Sequence, residues 1–208
     1  MQTGPTSPQT PFRLFSDQEK ERSDLFVKFI DVLFAVVIGQ SFGLLSSGQG
    51  AASWVATLSQ NVIALGDAVL FYGLIISSWI GYHVSIKELP IKNVGRFLVD
   101  ILLLFLYSLA LANLSSFANT ALILASVFAL YCLWCFIRLF EYPDRTVRSE
   151  HHMTGRTVLA GAFALLFLGI ATLVALYPLA ALQGLFLGIS FVLVILYRLL
   201  LQRKWKKK

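Results

Sequence analysis

The chain has 208 residues, 57% of them hydrophobic and 13% charged, with a mean hydropathy of +0.75 and a formal net charge of +6. Soluble domains carry about 25% charged residues, so this composition excludes an ordinary soluble domain and implies an all-α, polytopic membrane protein whose first partner is the lipid bilayer. Nothing in it resembles a nucleophile–base pair, a phosphate-cradling glycine loop or an HExxH site. The expectation is therefore a protein that is not an enzyme, with no cofactor, no metal and no nucleic-acid partner.

Residues 1–25 open on GPTSPQTP, too poor in apolar side chains to build a core and expected to be disordered. The stretch then turns charged (SDQEKERSD), with Ser16 or Asp17 able to cap a helix running into the membrane. It lacks the positive start, short apolar core and cleavage site of a secretory signal, so the first span is expected to stay as an uncleaved anchor.

Six apolar segments follow, at 26–47, 58–84, 96–114, 119–140, 156–177 and 183–201, within a transmembrane domain of 26–201. Each is long enough for a bilayer, which needs about 20 residues. The connections alternate in charge. Those near 48–57, 115–119 and Pro178 lack Lys and Arg, whereas 85–95, 138–156 and the basic tail 202–208 (RKWKKK) carry them. With six spans all 17 Lys and Arg fall on one side, which predicts cytoplasmic termini by the positive-inside rule. The spans pair into three hairpins with short outer turns.

The first span, FVKFIDVLFAVVIGQSFGLLSS, has two unlike faces at 100° per residue. Asp31, Phe34, Ile38, Phe42 and Leu45 make a bulky face with one charge; Val36, Gly39, Gln40, Gly43 and Ser47 make a small and polar one. Lipid favours neither an amide nor a glycine stripe, so the second face is either a helix-packing seam or a pore lining formed by Val36, Gln40 and Gly43. Gly73, Ser77 and Gly81 in the second span, and Gly184 and Gly188 in the sixth, are further packing seams.

Ionisable residues inside spans need partners. Asp31, His83 and Asp100 lie at one depth and are expected to form a structural polar cluster joining the first three spans. Asp67 shares its leaflet with no Lys or Arg; it is either hydrogen-bonded, to groups such as Asn61, Gln40 or Asn113, or a candidate outer cation site. Cys132 and Cys135 form a CxxC inside an apolar helix, where packing is the expected role. His151 and His152, beside Glu150, are expected in a solvated loop.

Phe29, Ile30 and Asp31, followed by VLFAVVIGQSF, and the WIGYH of the second span with Trp79, Tyr82 and His83, resemble the prokaryotic relatives of the endolysosomal potassium channels called transmembrane protein 175. The resemblance covers the first three spans. It implies a tetramer of six-helix chains in a prokaryotic plasma membrane, with the first helices around a pore for monovalent cations, potassium among them. Ile30 stands where the family has Ser and Leu25 where it has Arg, and the gate positions fall on Val36, Gln40 and Gly43. Two alternatives stay open. One is a non-conducting accessory or assembly protein using the same small-residue faces for packing; the other is a small secondary transporter with Asp67 as its coupling site.

Overall fold

The computed structural model describes residues 17–46, 62–112, 117–150, 152–177 and 180–202. Among them are seven helices and no strand: α1 (Asp17–Ser46), α2 (Val62–Glu88), α3 (Val94–Ala112), α4 (Phe117–Glu141), α5 (Arg145–Glu150), α6 (Met153–Leu176) and α7 (Ala180–Gln202). Trp54, Asn61, Asn113, His151 and the basic tail lie outside the described residues.

Five helices, α2, α3, α4, α6 and α7, are long and apolar enough to cross a membrane. Their outer surfaces agree with that. Phe105, Phe140, Leu165 and Val192 are each more than 60% exposed, a density of bare apolar side chains that water would not tolerate. The chain is an integral membrane protein. The 30-residue α1 is not among these five. The charged stretch after Asp17 is continuous with α1 rather than a separate short helix.

The core is built on α4. Phe128 stacks on Phe167 of α6 at 5.0 Å and meets Tyr197 of α7 edge-on at 4.8 Å. Small residues bring α4 and α6 into the most extensive pairing of the fold: Ala121 and Ala160 are fully buried, and a Cβ on Gly161 would lie 3.4 Å from Cys132 Sγ. The CxxC belongs to this packing, since both cysteines are free and Cys132 Sγ donates to the Thr157 carbonyl at 3.6 Å.

Of the three expected hairpins, α3–α4 and α6–α7 pack as neighbours. Among the described residues α1 packs chiefly on α3, and α2 divides itself between α7, α3 and α4 while meeting α1 through Asp31. Of the seam glycines expected from sequence, Gly81 lies against α7, where a Cβ would stand 3.4 Å from Arg198 Nη1. A Cβ on Gly73, Gly184 or Gly188 would meet nothing within 4 Å, whereas one on Gly66 would collide with Leu187 of α7 at 2.4 Å, so α2 and α7 make their close approach at Gly66. GxxxG spacing marks helix faces that can pack; which of them does pack depends on the neighbours.

Short connections at the charged end are closed by side chains. Asn93 caps α3 by accepting the Gly95 N–H at 2.7 Å, and Asp144 caps α5 by accepting that of Thr146 at 2.8 Å. Arg148 donates to the carbonyls of Leu139 and Tyr142, filling acceptors that the end of α4 leaves open.

Candidate functional site

Asp31 sits on α1 where that helix passes the end of α2. Its Oδ1 accepts the indole N–H of Trp79 at 2.9 Å and lies 2.9 Å from His83 Nε2. Trp79 and His83 are one helical turn apart on α2, which puts both rings on one face; they meet edge-on at 4.9 Å. The site is half open: the side chains of His83 and Asp31 are 28% and 38% exposed. A cleft of about 220 Å³ opens beside it, lined by Ser23, Asp24, Val27, His83, Ile86, Lys87 and Pro90. Two further ties hold α1 on either side of the cleft. Ser23 Oγ accepts the Ile91 N–H at 3.2 Å, and Phe26 stacks on Phe97 of α3 at 4.5 Å.

These contacts fix the rotation of α1. Ile30, Phe34 and Val37 are buried, while Val36, at 44% exposure, Gly39 and Gln40 point outward. A Cβ on Gly39 would meet nothing within 4 Å. Gly43 follows one turn later on α1, its surroundings outside the described side chains. The small face read from the sequence is thus the face the single chain leaves uncovered.

Of the expected polar cluster, Asp31 and His83 come together and Asp100 goes elsewhere. Asp100 is buried beside Arg96, Trp134 and Glu141, on the side of α3 that faces α4. Tyr82 lies between the two groups, within electrostatic reach of Asp100, Arg96 and Asp31. The cause is rotational. Arg96 precedes Asp100 by one turn of α3 and carries it into the α4 interface, where Arg96 Nη1 meets Glu141 Oε2 at 3.0 Å with both side chains at most 1% exposed. Trp134 covers the Arg96 guanidinium at 4.1 Å, and Glu141 Oε1 also accepts the Asn93 N–H. Sequence reasoning placed Arg96 at the very start of the third span and Arg138 near the end of the fourth, in the basic stretch 138–156. Both are buried inside helices, Arg96 against Glu141 and Trp134, and Arg138 also beside Trp134.

Asp67 is fully buried rather than open to an outer vestibule. Its Oδ2 accepts from Thr120 of α4 at 2.9 Å and its Oδ1 has no partner among the described residues. Gln40, one of its expected partners, points away on α1, and Asn61 and Asn113 are outside the described residues.

A further polar group went unread in the sequence. Ser78, Tyr107 and Tyr131, from α2, α3 and α4, join their hydroxyls in a ring at 2.5 to 3.0 Å, and Arg198 of α7 donates Nη2 to Tyr131 at 3.1 Å. The available signal was a tyrosine in the middle of each of two apolar runs, since a polar tip deep in a span requires a partner. Compared with protein-family models, curated proteins and solved structures, the chain matches none of them.

Proposed function

We propose that the protein is an oligomeric channel for monovalent cations, with α1 of each copy lining a central pore. The carrying observation is the pinning of α1. Asp31, Trp79 and His83 hold the helix by one side, and the opposite side presents Val36, Gly39 and Gln40 uncovered. An amide facing hydrocarbon is costly, so that side calls for water or a second copy of the chain, and a pore formed by several copies provides both. The residues that pin α1 are also those that carry the resemblance to the transmembrane protein 175 channels, which supports a tetramer in a prokaryotic plasma membrane and potassium as one permeant ion.

In this reading α1 is a sixth span and both termini are cytoplasmic. Gln40 repeats around the axis as a ring of amides whose oxygens replace part of an ion's hydration shell, and Val36, one turn toward the cytoplasm, makes an apolar constriction that closes by dewetting. Gly43 continues the same lining. Flux of potassium and sodium into liposomes tests it: Gln40→Leu lowers the flux and Val36→Ala raises it, with oligomer size unchanged. Absence of flux in both the wild type and Val36→Ala returns the protein to the accessory or assembly reading. Accessibility of a C-terminal tag in sealed cells tests the topology, and an outward tag would sink the six-span arrangement.

A further inference from the structure

Arg198 lies less than one helical turn before Leu201, where the apolar span of α7 ends. An arginine so placed ordinarily turns its head toward the near membrane surface. Here it is directed inward, its guanidinium resting over the Tyr131 and Tyr197 rings at 5.6 and 5.9 Å while Nη2 bonds the Tyr131 hydroxyl. Side chains on a helix lean back toward its N-terminus, and in α7 that direction leads into the membrane. Gly81 of α2 makes room: a Cβ there would lie 3.4 Å from Nη1. Gly81 is roughly 9 Å from Lys87 at the end of the α2 span, at 1.5 Å per residue.

The hydroxyl ring satisfies itself, but the charge is uncompensated. Among the described residues no carboxylate lies within ion-pair distance of Arg198, and its Nε is buried without a partner. A bare guanidinium inside a membrane calls for a counter-charge. The way to it is lateral. Gly81 is exposed, and one turn away on the same two helices Val84 and Ile195 are exposed and apolar. An occupant entering between α2 and α7 therefore meets hydrocarbon-like walls and a single fixed positive charge at the bottom.

We propose that Arg198 and the notch at Gly81 form a binding site for the phosphate of an anionic lipid lying in the α2–α7 groove. Arg198 Nη1 holds a phosphate oxygen, the Tyr131 hydroxyl orients the guanidinium, Val84 lines the approach from the near membrane surface, and Ile195 flanks the acyl chains on the inner side. The site is independent of the channel reading, since it uses neither α1 nor an oligomer axis.

The test is native mass spectrometry and thermal unfolding of the full chain with phosphatidylglycerol, with phosphatidylcholine and with inorganic phosphate. Wild type is expected to retain phosphatidylglycerol over phosphatidylcholine and to unfold at a higher temperature with it. Arg198→Gln loses that preference by removing the charge. Gly81→Leu loses it by filling the notch while keeping the charge, so it decides the matter if Arg198→Gln does not fold. Both variants keep the basic tail, so tail-bound lipid cannot account for the difference. Equal retention by wild type and Gly81→Leu would overturn the proposal. So would inorganic phosphate stabilising as well as the lipid, which would make this a free-anion site, or a change of oligomer size in Arg198→Gln with lipid retention intact, which would make the counter-charge a carboxylate of a second copy.

Discussion

Two acid–base contacts stand at the same end of the molecule and differ in almost every respect that matters energetically. Arg96 and Glu141 tie α3 to α4 with both side chains out of reach of solvent, Trp134 covering the guanidinium and Asn93 donating to the second carboxylate oxygen. Asp31 and His83 tie α1 to α2 at a similar distance but remain about a third exposed beside an open cleft. The first pair is itself buried between two helices. The second holds a peripheral helix that touches the rest of the chain along one face only. Equal distances thus serve unlike ends: one contact keeps two helices from separating, and the other sets the rotation of a helix whose free face the proposed function requires.

Breaking the covered pair has the largest expected effect. Glu141→Ala takes from the buried Arg96 the carboxylate it bonds, and removing one partner of a buried pair costs about 3–5 kcal/mol; thermal unfolding in detergent should fall steeply. A loss no greater than that from Asp31→Ala would erase the contrast between the regions.

Thr120→Val comes next. It is close in shape but deprives Asp67 of the hydrogen bond from Thr120, and an unsatisfied buried polar group costs about 1–3 kcal/mol. Restoration of stability by Asp67→Leu in the Thr120→Val background would sharpen the assignment of Asp67 as a hydrogen-bonded packing residue. Persistence of the deficit would assign Asp67 a separate role.

Asp31→Ala should cost less, about 1 kcal/mol, because the contact is part-solvated. Its larger signature is geometric. With Trp79 and His83 unpartnered, α1 loses its rotational anchor, so cross-linking between cysteines placed at position 36 of neighbouring copies should become less efficient. Unchanged cross-linking would show that the apolar contacts of Ile30, Phe34 and Val37 suffice to orient α1.

The smallest effect on stability belongs to Gln40→Leu. Its side chain is exposed in the single chain, so unfolding should move within about 0.5 kcal/mol while cation flux falls. A clear stability change without a flux change would place Gln40 in a closed helix contact.

The amino-acid sequence by itself determined the class of the protein and much of its layout. Long runs of apolar residues can satisfy their backbone in a bilayer only as helices, so five of the six expected spans recur within a turn or so of their expected limits. The two faces of α1 were legible for the same reason, since a helix of fixed period sorts its side chains before any neighbour is chosen. So was the meeting of Asp31 with His83, two polar groups counted to one depth, although the Trp79 indole that joins them was not read as a partner. What only the tertiary structure decided was pairing. Depth along the membrane can be counted from sequence, but rotation cannot, and rotation sent Asp100 to Arg96, Trp134 and Glu141 rather than to Asp31 and His83. It gave Asp67 to Thr120, left the glycines at 73, 184 and 188 uncovered while closing Gly66 onto Leu187, and turned Arg198 inward onto Tyr131. Apart from Arg96 beside Asp100 on one helix, such contacts join residues about 30 to 120 positions apart, and they are set by how five apolar helices, each similar to the next in composition, fill space around Phe128.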